Sequence, residues 1–300
     1  MDAALRIGII GLDTSHVTAF TKLLNDPSDA NHVPGGRVVA AYPGGSADFP
    51  LSMDRVGGFT QELRGQYGVS MMETPEAVAE SVDALLLESA DGRVHLEQFR
   101  AIASYGKPVF IDKPLALSSR EAYEIAELAQ QYDIPVMSAS ALRYSEGLVS
   151  ALAEADGSIT GADAFGPMHL EPTQMGYYWY GIHTAELLYR VMGTGCREVA
   201  VTANDDFDVI TGVWQDGRIG TVRGSRRPGQ SFGATLHTGG GPRLVDVSKD
   251  GRPFYACLLV EVMNMFRTGE PGIPLTETLE IIRFLEAANE SRSTGQRVKL

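Results

Sequence analysis

Two cysteines, Cys196 and Cys257, are too few for a disulfide framework or a zinc cluster, and neither sits in a paired-ligand spacing. Both read as buried thiols. Long hydrophobic runs are missing too, since none approaches the roughly 20 residues that a bilayer crossing requires. Basic residues are scarce, 25 Lys and Arg against 38 Asp and Glu, and the resulting charge of -13 repels nucleic acid and anionic membrane alike. A small molecule is the expected partner. No basic n-region or small-residue cleavage site precedes the first apolar strand, because Met1 to Arg6 leads straight into it, so a cytoplasmic protein is expected. Biased tracts and a flexible linker are also lacking. What is present, 300 residues with 44% hydrophobic and 21% charged side chains, suits a folded chain of two domains.

Through residues 1–140, strand-like runs alternate with helical periods. Leu5 to Ile10 reads as a buried strand, Val17, Phe20 and Leu24 recur at helical spacing, and Val38 to Tyr42 is a second strand closed by Pro43-Gly44-Gly45. Phe59, Leu63 and Tyr67, then a start at Thr74-Pro75, mark helices before the strand Val82 to Leu87. Leu96, Phe99 and Ile102 mark another before Pro108 to Ile111, and Ser118 with Glu121 resembles a capping box ahead of the strand Ile134 to Ala139. Strands joined by helices of this length imply a parallel sheet covered on both faces, a Rossmann-like doubly wound α/β domain.

The rhythm changes over residues 141–300. Leu148 to Ala155 and Ile182 to Met192 look helical, whereas Val199 to Trp214 and Ile219 to Gly224 alternate at period two around Asp216-Gly217, a hairpin signal. Phe232 to Thr238 and Leu244 to Val247 add strands, and Tyr255 to Phe266 and Thr276 to Ser291 return to helical period. A second, α+β domain with a mainly antiparallel sheet is expected.

The stretch IGIIGLDTSHV, Ile7 to Val17, has the form of a dinucleotide-binding turn with two of its three glycines replaced. Gly11 keeps the tight turn; Asp13 and His16 stand at the second and third glycine positions. A carboxylate where a phosphate approaches is costly, yet Thr14 and Ser15 offer hydroxyls and backbone N–H groups at a helix N-terminus, which favours an anion. Either Asp13 or Ser15 caps the helix, or these residues touch a phosphate. The second strand ends in Ala41-Tyr42-Pro43-Gly44-Gly45-Ser46 without the carboxylate that would grip a ribose, so NAD and NADP are both open.

Lys107 to Ala139, KPVFIDKPLALSSREAYEIAELAQQYDIPVMSA, resembles the Glu-Lys-Pro segment of the glucose-fructose oxidoreductase and inositol dehydrogenase family (Gfo/Idh/MocA), with Asp112 in place of Glu. Tyr180 to Gly193, a Trp-x-Asp-Gly hairpin and the closing SRSTGQRVKL extend the resemblance over nearly the whole chain. It implies an NAD(P)-dependent oxidoreductase acting on a secondary alcohol of a sugar, cyclitol or related polyol, and a homo-oligomer. It also implies that Lys113 and His183 are catalytic, converging beside the nicotinamide across an interlobe cleft. Gly8, Gly11, Asp13, Thr14, Ser15, His16, Ser89, Asp91, His95, Asp112, Lys113 and Pro114 then become the cofactor set, and His169, Trp179, Tyr180, His183 and Glu186 the substrate set.

Departures from the family pattern carry their own expectations. Trp179 replaces the Asp that usually stands four residues before the His, and Trp179, His183, Glu186 and Arg190 are spaced to share one helix face. Glu186 therefore either partners His183 or pairs with Arg190 on the surface. Trp179 and Tyr180 form a sugar-stacking platform or pack in the core. Asp91-Gly92 replaces the usual Pro-Asn and either contacts the cofactor or only turns the chain. No metal site is expected, because His169 and Glu171 with His183 and Glu186 lack a recognisable ligand spacing. Two other functions fit the same scaffold: lyase, epimerase or glycosidase chemistry on tightly held NAD, and non-catalytic carbohydrate binding or regulation.

Overall fold

A computed structural model describes residues 4–155 and 158–300. Met1 to Ala3, part of the stretch on which the expected lack of a leader rests, lie outside the described residues. In chain order the elements are β1 (Leu5–Ile10), α1 (His16–Asn25), β2 (Gly36–Tyr42), α2 (Pro50–Tyr67), β3 (Ser70–Met71), α3 (Pro75–Ser81), β4 (Ala84–Leu87), α4 (His95–Ile102), β5 (Val109–Ile111), α5 (Ser119–Gln131), β6 (Val136–Met137), α6 (Glu146–Ala153), β7 (Ile159–Pro167), α7 (Gly181–Met192), β8 (Cys196–Ala203), β9 (Phe207–Trp214), β10 (Ile219–Ser225), β11 (Gly233–Thr238), β12 (Gly241–Asp246), α8 (Phe254–Thr268), α9 (Leu275–Thr294) and β13 (Val298–Lys299). Among the described residues no helix is long and apolar enough to cross a membrane.

The first of two compact units runs through Ala116 and takes in Arg120–Ala139 and Tyr255–Leu275. Its six strands are parallel, in the order β3-β2-β1-β4-β5-β6. Ile7, Ile9 and Ile10 of β1 and all four residues of β4 are fully buried, which is why these strands read as unbroken apolar runs instead of alternating. Helix α1 buries Val17, Phe20, Leu23 and Leu24. Helix α8 belongs with this unit: Tyr255 packs edge-on against Phe20, and Met263 lies so close to Gly36 that a Cβ there would meet its methyl at 2.7 Å. Because the chain leaves β1 toward β2 and later crosses back to β4, the carboxyl ends of β1 and β4 flank the switch point where open α/β sheets bind ligands.

The second unit comprises Leu117–Ser119, Ser140–Phe254 and Thr276–Leu300. Its sheet has the order β12-β11-β7-β10-β9-β8-β13, antiparallel throughout except for the parallel pair β7 and β10. The run read as Val199 to Trp214 is two strands. Asn204 folds it over, its side chain accepting from the N–H groups of Asp206 and Phe207 at 3.0 and 2.8 Å. Gly217 closes the next hairpin at φ +88°, as the Asp-Gly signal predicts. Strand β7 carries little hydrophobic signal because Gly161 and Gly166 interrupt it; a Cβ on Gly166 would meet the Phe232 ring at 2.3 Å. Helix α7 is buried nearly all round, with Leu188 against Gly220 of β10.

Candidate active site

The turn after β1 is held by backbone hydrogen bonds from Gly11 to Tyr42 (2.9 Å) and from Leu12 to Pro43 (2.7 Å). Gly11 has φ +87°, and a Cβ there would lie 2.6 Å from the Ser89 backbone. Gly11→Ala should therefore destabilise the chain by about 1–3 kcal/mol, read as a lower urea midpoint at unchanged m-value. The Asp13 carboxylate turns inward, accepting from Ser52 Oγ at 2.6 Å and from the Ala90 N–H at 2.8 Å. Ser15 makes no side-chain cap. The capping reading thus fails for both residues: Asp13 is held by neighbouring loops before it can reach the helix. Among the described residues the N–H groups of Asp13, Thr14 and Ser15 donate to no protein acceptor, while the Thr14 hydroxyl accepts from the His16 N–H at 3.4 Å. Orphaned donors at a helix N-terminus fit one end of a diphosphate. Gly8 has a different task, since a Cβ there would strike Val78 of α3 at 2.4 Å.

At the carboxyl ends of β4 and β5 the same unit gathers four ionisable groups. Glu88 and Asp112 directly follow the two strands, and His16 opens α1. His16 Nδ1 is 2.8 Å from Asp112 Oδ2 and 3.8 Å from Glu88 Oε2, and Lys113 Nζ is 4.0 Å from Asp112 Oδ2. His16 Nδ1 makes no hydrogen bond of accepted geometry among the described residues. The imidazole is clamped between Phe20, stacked at 5.6 Å, and Tyr255, edge-on at 4.9 Å. Burial, and next the Asp112 charge, push the Glu88 carboxyl well above its ordinary range, with Lys113 opposing. Burial would raise Asp112 too, but the His16 and Lys113 charges beside it carry it well below the usual carboxylate range.

Other expected cofactor residues are bound into the scaffold. Ser89 Oγ donates to Gln98 at 2.8 Å. Asp91 accepts from the Arg93 backbone at 3.0 Å and from its guanidinium, which also grips Asp48 at 2.8 Å. Asp91 thus caps the turn after β4. Buried His95 has Nε2 2.8 Å from the Ser89 carbonyl and Nδ1 2.9 Å from that of Pro114, linking the loops after β4 and β5; the Lys113–Pro114 bond is cis.

The second unit assembles the expected substrate residues. Helix α7 begins at Gly181, after a 3₁₀ turn over Gly176–Tyr178, so Trp179 precedes the helix and does not share its face. Arg190 is exposed, whereas Glu186 is buried and pairs with Arg143 at 2.8 Å. Both expected partners of Glu186 are thereby corrected, because Arg143 reaches it from the segment after β6. Arg143 also pairs with Glu277. Burial lifts the Glu186 carboxyl to about 7 against the pull of Arg143. His183 meets Ser140, with Nδ1 2.7 Å from Oγ. Tyr180 stands edge-on to His183 (5.8 Å) and to exposed His169 (5.0 Å); Trp179 tilts against Tyr180 at 6.3 Å, and Phe232 closes the row 5.5 Å from His183. Such a row of rings around an imidazole suits the apolar face of a sugar ring.

Sequence reasoning missed Glu88, Ser140, Arg143 and Glu277. Glu88 had a signal: it ends the apolar run Ala84-Leu85-Leu86-Leu87 at the edge where ligands bind.

A parallel sheet in this strand order, with a glycine turn leading into a helix whose first N–H groups are orphaned, is a nucleotide-binding Rossmann fold. The profile of the Gfo/Idh/MocA oxidoreductase family, NAD-binding Rossmann fold, matches residues 5–140. NAD is the cofactor of its fold. No curated protein is significantly similar in sequence. Solved structures match the whole chain at low identity. GenD2 from gentamicin A biosynthesis, in complex with NAD, is 18% identical, with 100% of this chain and 97% of that one covered at a TM-score of 0.79. Myo-inositol 2-dehydrogenase from Lactobacillus plantarum is 17% identical over 99% of each chain, TM-score 0.79. Myo-inositol dehydrogenase from Lactobacillus casei, in complex with NAD(H) and myo-inositol, is 14% identical over 99% and 97%, TM-score 0.77. These likenesses establish the fold over the full length.

Proposed function

We propose that the chain is an NAD(P)-dependent dehydrogenase acting on a secondary alcohol of a sugar, cyclitol or related polyol. The observation that carries this reading is the His183 imidazole, engaged at Nδ1 by Ser140 and set among Tyr180, Trp179 and Phe232. Bound NAD(P)⁺ supplies the hydride acceptor. The N–H groups of Asp13, Thr14 and Ser15 hold its diphosphate, offsetting the loss of two glycines. With Nδ1 directed at Ser140, His183 takes the hydroxyl proton at Nε2. Lys113, at the ligand-binding edge of the parallel sheet, orients and polarises the substrate oxygen. The aromatic row excludes water and fixes the ring. Calorimetry of the full chain with NAD⁺, NADH, NADP⁺ and NADPH tests the reading. Saturable binding of at least one nucleotide is expected; no binding of any of the four at millimolar concentration would sink it.

A further inference from the structure

We propose that His16, Glu88 and Asp112 form a binding site for a divalent first-row transition metal ion of the Zn²⁺ type, inside the first unit and independent of the dehydrogenase reading. Each residue offers one ligand atom, and the three atoms lie within 4.8 Å of one another. Bonds of about 2.0–2.2 Å from one ion to imidazole nitrogen and carboxylate oxygen put neighbouring ligands roughly 3–4 Å apart. The His16 Nδ1 to Glu88 Oε2 separation of 3.8 Å already falls there, and the 2.8 Å pair with Asp112 needs to open by only a few tenths of an ångström.

A second observation, independent of that spacing, concerns hydrogen bonding. Glu88 is fully buried, and among the described residues neither of its carboxylate oxygens has a hydrogen-bond partner. Buried carboxylates are almost always satisfied, because an unpaired one forfeits its hydration without return. Lys113 Nζ stands 4.0 Å from Asp112, and a cation bound between the carboxylates would answer both of them. His16 Nδ1 is likewise buried without a hydrogen bond, and its ring is locked toward the carboxylates by Phe20 and Tyr255. One imidazole and two carboxylates favour Zn²⁺ or Mn²⁺ over the all-oxygen preference of Ca²⁺ and Mg²⁺. Three protein ligands leave a coordination position for water or a substrate oxygen.

The test is titration of the full-length chain, stripped by chelation, with Zn²⁺ by calorimetry and with Co²⁺ by its visible ligand-field bands. One tight equivalent is expected, with bands of four- or five-coordinate cobalt. Glu88→Gln and His16→Asn should each weaken binding at least about tenfold. Glu88→Gln keeps the shape of the side chain, and its thermal melt verifies folding. Absence of a stoichiometric site would overturn the assignment. So would a site with unchanged affinity in both variants, since the ion would then lie elsewhere. No nucleotide enters the readout, so failure here and failure of the dehydrogenase reading are separate results.

Discussion

On the proposed function, His183→Ala should lower kcat/KM for a polyol substrate by roughly 10²–10⁴-fold, the usual worth of a positioned general base. Nucleotide affinity should stay as it was, because the orphaned N–H groups that would hold the diphosphate are in the first unit and His183 is in the second. The magnitude depends on the ring being aimed as well as basic. Ser140 Oγ engages Nδ1 at 2.7 Å, and Tyr180 and Phe232 flank the ring edge-on. Ser140→Ala should therefore keep a measurable rate while shifting the pH profile, with Thr at that position restoring it. Undiminished turnover in His183→Ala would remove the imidazole from the mechanism. The measurement is steady-state kinetics at saturating nucleotide with a panel of polyols.

The largest loss of stability should come from Arg143→Met, about 3–5 kcal/mol, because it leaves buried carboxylate without its counter-charge. Arg143 is 3% exposed and joins Glu186 and Glu277 into one network. Glu186 gives this loss a pH signature. Its carboxyl titrates at about 7 in the folded chain against 4.5 as a free group, so between those values the folded state binds more protons than the unfolded one. Stability contributed by this group is complete below 4.5 and drains away as pH rises through about 7. The gap corresponds to roughly 3 kcal/mol. Urea midpoints across that window should fall with rising pH in the wild type and fall less in Glu186→Gln. Arg143→Met should cost more at about pH 8 than at about pH 6, where Glu186 can take up a proton. A penalty independent of pH would mean that Glu186 does not carry the charge that Arg143 answers.

Residues whose neighbours lie close in the chain were readable in advance. Gly11, Gly217 and the apolar β1 and β4 runs each announce their conformation locally, through a positive φ or burial on both faces. Partnerships were not. Glu186 sits one turn from Arg190 in the sequence, and spacing alone favours that pair, yet Arg143 comes from 43 residues away. Trp179 has the period of α7 but stops short of it, since Gly181 starts the helix after a separate 3₁₀ turn. Asp13 looked like a cap or a phosphate neighbour, and Ser52 and Ala90, 39 and 77 residues distant, claim it first.

By itself the order of residues determined the alternation of strand and helix and the parallel sheet of the first unit, and it singled out Lys113, His16 and His183 as candidates for chemistry. Period and turn chemistry are local properties, so they survive without knowledge of the fold. Tertiary structure alone decided which ionisable groups meet, bringing together Glu88 with Asp112 and His16, and His183 with Ser140. Those encounters follow from strand ends aligned by sheet order and from segments far apart in the chain, and desolvation then sets their charge, which no linear pattern encodes.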